Sequence, residues 1–108
     1  MDPAFIPPEF FRLKAPTAME KAADIYAVGA ILYFVATGEY AFEGPSFEDY
    51  KFQQTRVFPA PPRLVNPEAP DWLDPLILGC LEKEPEKRWG SMNDVINVIL
   101  RETSQDEP

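Results

Sequence analysis

Apolar residues follow three different rhythms along this chain, and each predicts its own kind of helix. From Ile25 to Gly38 no side chain is charged, and apolar residues cover nearly every face of a 3.6-residue spiral. That is the pattern of a helix at the centre of a domain. Thr17-Ala18-Met19-Glu20 offers it a capping box, and Gly38 offers the left-handed residue that most easily ends a helix. Between Asp71 and Glu84, Trp72, Leu73, Leu76, Ile77, Cys80 and Leu81 recur at three- and four-residue spacing, the mark of an amphipathic helix. Pro75 leaves its start open. If Asp71 caps the helix, the proline removes one early hydrogen bond; if Asp74 caps it, the proline takes the favoured first position.

Two shorter patterns complete the set. Ser46-Phe47-Glu48-Asp49 opens a more polar helix carrying Tyr50 and Phe52, and Ser91-Met92-Asn93-Asp94 caps a last helix with Val95, Ile96, Ile99 and Leu100 expected inward. Pro59-Ala60-Pro61-Pro62, followed by Pro67 and Pro70, is expected to run extended as a connecting loop and a candidate recognition surface. Strand alternation and internal repeats are missing from the sequence. The expected architecture is all-α, a compact bundle of about four helices around a buried central helix.

Composition narrows the chemistry. A chain of 108 residues holds one small domain, and 45% hydrophobic with 26% charged residues is globular material. The net charge of -8 argues against nucleic acid and anionic membrane surfaces as partners. No run of apolar residues reaches the roughly 20 needed to span a bilayer, and Met1 to Phe5 does not have the form of a secretory signal. Those first residues read as a tail or cloning remnant. With one cysteine and no histidine, an internal disulfide is excluded and a zinc site lacks its usual ligands. The same lack removes the commonest general base, so catalytic and metal residues are assigned to none.

Three segments carry a resemblance. Pro7-Pro8-Glu9 resembles the Ala-Pro-Glu motif that follows a kinase activation loop. Asp24-Ile25-Tyr26-Ala27-Val28-Gly29-Ala30-Ile31-Leu32-Tyr33, followed by Thr37-Gly38 and Phe42, looks like the central helix of bacterial-type Ser/Thr protein kinases. Cys80-Leu81-Glu82-Lys83-Glu84-Pro85-Glu86-Lys87-Arg88 is similar to the family's closing Cys-Leu-x-x-x-Pro-x-x-Arg segment. Order and spacing agree over residues 6–102, which resemble the C-terminal lobe from the Ala-Pro-Glu-like motif onward; 103–108 reads as a flexible acidic tail.

The resemblance implies roles for particular residues. Glu9 is expected to pair with Arg88, against the bland alternative of two unrelated surface charges. Asp24 matches the carboxylate that anchors the catalytic loop, although an acid in a first helical turn is equally expected from the helix dipole. Phe42, Phe47, Tyr50, Phe52 and Phe58 match the region that docks substrates and regulators; several of them are expected in the core, as aromatics at helical spacing usually are, with one or two exposed as contacts. The Gly-rich loop, Val-Ala-Ile-Lys, His-Arg-Asp and Asp-Phe-Gly are not in this sequence, so ATP and Mg are expected only for a complete kinase and this chain is expected to be inactive alone. A central helix without its usual neighbours favours self-association, as a dimer or by segment exchange. A non-catalytic module binding a protein partner and an unrelated helical domain are the alternatives. The cytoplasm is the expected compartment.

Overall fold

The computed structural model describes Pro7, Pro8 and residues 20–104. In these residues the elements run α1 (Glu20–Thr37), α2 (Phe47–Arg56), α3 (Pro62–Val65), α4 (Leu73–Cys80), a 3-10 turn (Pro85–Lys87) and α5 (Met92–Ser104). No strand occurs among the described residues. Thr17 and Glu9 lie outside them. α5 continues to Ser104, two residues into the stretch expected to be a tail.

Local signals account for several ends. Gly38 takes φ +78 and its amide donates to Phe34 O at 2.7 Å, so α1 stops where a residue without Cβ can turn left-handed. Ser46 caps α2 by accepting from the Asp49 amide at 3.3 Å, and Ser91 does the same for the Asp94 amide at 3.1 Å. α4 departs from both expected starts. Its cap is Trp72, which places Pro75 third in the helix, where its missing N–H would have had no helical partner. Leu81 closes the helix by donating to Ile77 O and Leu78 O, so it ends before Glu84.

The proline loop is not simply extended. Pro62 starts the single turn of α3, the position where its fixed φ suits a helix. Pro59 and Pro62 are buried. Tyr33 Oη donates to Ala60 O at 2.8 Å and Asn66 Nδ2 to Ala36 O at 2.9 Å, so the loop is tied to α1.

The core forms where α1 crosses α4. Tyr26, Ala30, Tyr33, Ile77 and Leu81 make one cluster, and Ile25, Leu76, Cys80 and Val95 the other. Gly29 permits the crossing: a Cβ there would lie 2.4 Å from Cys80 Cβ. Gly79 plays the same part for Trp89, whose Nε1 would stand 2.6 Å from an added Cβ and donates to Leu76 O at 3.0 Å. The central helix has two unlike sides. Ile25, Tyr26, Ala30 and Tyr33 are buried, whereas Ile31, Phe34 and Val35 on the other side are 50%, 42% and 74% exposed. On α5, Val95 is buried and Ile99 packs on the core, but Ile96 and Leu100 are exposed, contrary to expectation. Only one flank of α5 meets the bundle.

Cys80 is fully buried, and burial pushes its thiol from the ordinary 9.0 up to about 12, with nearby Arg88 pulling the other way. The folded chain therefore keeps a proton that the unfolded chain releases near pH 9. Stability is expected to fall as pH rises from about 9 towards 12, and Cys80→Ala to flatten that part of the urea-midpoint profile against pH. An unchanged profile in the variant would refute the assignment.

Candidate functional site

Arg88 is the best-connected residue of the closing segment. It is buried, its Nε donates to Glu82 O at 2.8 Å, its Nη1 to Ala22 O at 3.1 Å and its Nη2 to Lys83 O at 3.4 Å. Its guanidinium lies 4.8 Å from the Tyr26 ring centroid, within cation–π range. A planar fork with five donors can serve several carbonyls at once, which an ammonium cannot do in the same geometry. The residue thus fastens the segment after α4 to the first turn of α1. Pro7 and Pro8, beside Glu9 in sequence, are buried.

Asp24 is exposed in the early part of α1 and lines an open cavity of about 360 Å³ with Lys21, Ser91, Met92 and Asn93. The cavity joins the N-terminal turns of α1 and α5. Ser91 Oγ already accepts from the Asp94 amide, so the polar groups at its mouth are partly engaged in capping.

The five aromatics assigned to docking separate. Phe42 is buried at 4% exposure, which removes it from any surface. Lys83 stands over it, with Nζ 4.3 Å from the ring centroid and donating to Gln53 O at 3.0 Å. A cation on a ring and on a carbonyl near the C-terminal end of a helix is favourably placed. Tyr50 is half-buried, whereas Phe47, Phe52 and Phe58 are 54%, 58% and 70% exposed. α2 is held to α1 by Tyr26 Oη donating to Gln54 Oε1, and to the preceding turn by Gln53, whose Nε2 donates to Glu43 O at 2.6 Å.

Gln54, Lys83 and Trp89 are the residues that reading the sequence missed. All three serve the packing of the lobe, and Trp89 has its explanation in Gly79. Glycine before cysteine in an otherwise apolar helix was the available signal for close contact. Nothing local marked Gln54 or Lys83, because their partners lie 28 and 30 residues away.

The fold is that of the helical lobe of a protein kinase domain. The crystal structure of the Rad53 kinase domain and SCD2 superposes with a TM-score of 0.71 over 87% of this chain and 33% of that one; at 19% identity it speaks to the fold alone. The sequence narrows the class. It is 31% identical over 76 residues, 70% of the chain, to a probable serine/threonine-protein kinase of Clostridium acetobutylicum. To the serine/threonine-protein kinase PknB of Mycobacterium tuberculosis it is 30% identical over 91 residues, 84% of the chain. In sequence and fold together, the chain is similar to the C-terminal helical lobe of serine/threonine protein kinases. The matched parts span 12% and 14% of the length of those two relatives. No protein-family model matches the chain.

Among the described residues no helix is long and apolar enough to cross a membrane.

Proposed function

We propose that this chain is the structural and docking half of a Ser/Thr protein kinase domain and transfers no phosphoryl group by itself. The observation that carries this reading is the combination of a lobe assembled around α1 and Arg88 with a sequence that holds no histidine, no His-Arg-Asp and no Asp-Phe-Gly. Phosphoryl transfer rests on positioned metal ions, a nucleotide lysine and a base, and those motifs supply them. In a complete kinase, ATP and Mg would bind beyond these residues, Asp24 would anchor the catalytic loop from the mouth of its cavity, and Glu9 would pair with Arg88.

The lobe's own contribution is contact. The outer side of α1, with Ile31, Phe34 and Val35 exposed, is the surface that another polypeptide would cover, and self-association follows from it. A non-catalytic protein-binding module in the cytoplasm is the second reading, favoured by the exposure of Phe52 and Phe58.

The test is direct. The purified chain, incubated with labelled ATP, Mg and a generic protein substrate, is expected to incorporate no phosphate into itself or the substrate, and to give no heat of binding with Mg-ATP. Incorporation that survives repurification of the chain overturns the proposal.

A further inference from the structure

We propose that the strap from Val57 to Val65, which leads from α2 through α3 towards α4, is a docking surface for a short acidic peptide with apolar side chains, and that Phe58 and Leu64 are its anchors. The strap is a fixed support. Pro59 and Pro62 are buried and Val65 packs on the core, so every third residue turns inward. Ala60 O accepts from Tyr33 Oη at 2.8 Å, the Arg63 amide donates to Asp74 Oδ1 at 3.2 Å, and Asn66, just past the end, donates from Nδ2 to Ala36 O at 2.9 Å. Pro59, Pro61 and Pro62 add three fixed φ angles. On this support Phe58 and Leu64 stand 70% and 76% exposed. A backbone already held in place binds a partner without paying again in ordering entropy.

Charge decides what covers them. The stretch from Lys51 to Pro67 carries three cations, Lys51, Arg56 and Arg63, and no acid, in a chain of 18 acids and 10 cations. Arg63 adjoins Leu64, Arg56 lies two residues before Phe58, and both are exposed. Buried Lys83 adds its Nζ at 6.0 Å from the Phe58 ring centroid. Asp74 reaches the strap from α4, where the Arg63 amide engages it. A fitting partner brings apolar side chains to the two anchors and carboxylates to the cations around them.

The partner's size follows from the spacing. Phe58 and Leu64 are six residues apart, so their Cα atoms lie within about 20 Å of each other, a span that an extended peptide of about seven residues covers. An anionic membrane offers the same charge but extends past the strap, against the acids of the rest of the chain. A short peptide meets the strap alone. This inference rests on the second reading above, that the lobe binds a protein partner, and gives that partner a place and a chemistry.

Fluorescence anisotropy of labelled nonapeptides titrated with the chain tests it. One set places two Leu or Phe positions among Asp and Glu, and a second replaces the acids with Lys. The acidic set is expected to bind, and to bind more weakly as salt rises. Phe58→Ser and Leu64→Ser are each expected to raise the dissociation constant about ten-fold or more, as the loss of an anchor does. Arg56→Glu with Arg63→Glu is expected to move the preference to the Lys set. Phe52→Ser on α2 and Val35→Ser on α1 are expected to leave the affinity unchanged, and circular dichroism verifies that every variant keeps its helices. Equal binding of both sets, or no binding of the acidic set at millimolar chain, overturns the inference. So does sedimentation with phosphatidylserine–phosphatidylcholine vesicles in place of peptide binding, which assigns the strap to a lipid surface. Binding that is lost in Phe52→Ser or Val35→Ser and kept in the strap variants also overturns it, while leaving the reading as a binding module intact.

Discussion

Replacing Arg88 with alanine is expected to remove about 3–5 kcal/mol of stability, a large fraction of the 5–15 kcal/mol that holds a domain folded. The magnitude comes from what is left behind. The carbonyls of Ala22, Glu82 and Lys83 lose a charged donor, and the Tyr26 ring loses the cation above it. A buried polar group stripped of its partner costs about 1–3 kcal/mol on its own. Arg88→Lys is expected to recover little of the loss, because one ammonium on a flexible stem cannot reach carbonyls on both sides of the fork. Urea unfolding measures this: the midpoint should drop steeply with the slope unchanged. A loss below about 1 kcal/mol, the range of exposed ion pairs, would mean that Arg88 does not hold the lobe together.

The second large effect is expected at Gly29. Alanine is the better helix former by about 1 kcal/mol, so on an isolated helix the substitution would stabilise. Here the added methyl meets Cys80 Cβ at 2.4 Å and Leu81 side-chain carbons at 3.3 Å. Both Cβ atoms are fixed to helix backbones, so no rotamer relieves the overlap and α1 must move away from α4. Overpacking of this kind costs about 1–3 kcal/mol, and separating the helices loosens both core clusters, so the net effect is expected to be destabilising despite the propensity gain. Adding Cys80→Gly to Gly29→Ala removes the opposing carbon. The double variant is expected to be less destabilised than the sum of the two single changes, as contacting residues should be. Additive losses in urea unfolding would argue that the helices do not touch there.

Much of this fold was legible because its signals are local. Gly38 ends α1, and Ser46 and Ser91 cap α2 and α5, because each of these acts within a few residues of itself. The errors arose where the deciding partner is distant. Periodicity marked Ile96 and Leu100 as apolar positions of α5 but could not say which flank meets the bundle, and they are exposed. Phe42 lies in a turn-rich stretch after the central helix, and nothing local says that, of the five aromatics, its ring is the one that Lys83 covers. Pro75 offered two caps for α4, and the helix used neither: with Trp72 as the cap the proline stands third, where its missing N–H costs no helical bond. At the candidate site, Arg88 stood out through its motif. That it reaches Ala22 needed the third dimension.

The bond from Arg88 to Ala22 joins residues 66 apart in sequence, so α1 acquires this fastening only after most of the lobe has been synthesised. At ribosomal rates of about 5–20 residues per second, that is an interval of roughly 3–13 s. For most of it, an 18-residue stretch rich in apolar side chains has neither its clasp nor its α4 partner. The apolar side of this stretch therefore stays uncovered until the C-terminal part of the lobe arrives, the kind of transiently exposed surface that makes a nascent chain prone to aggregate.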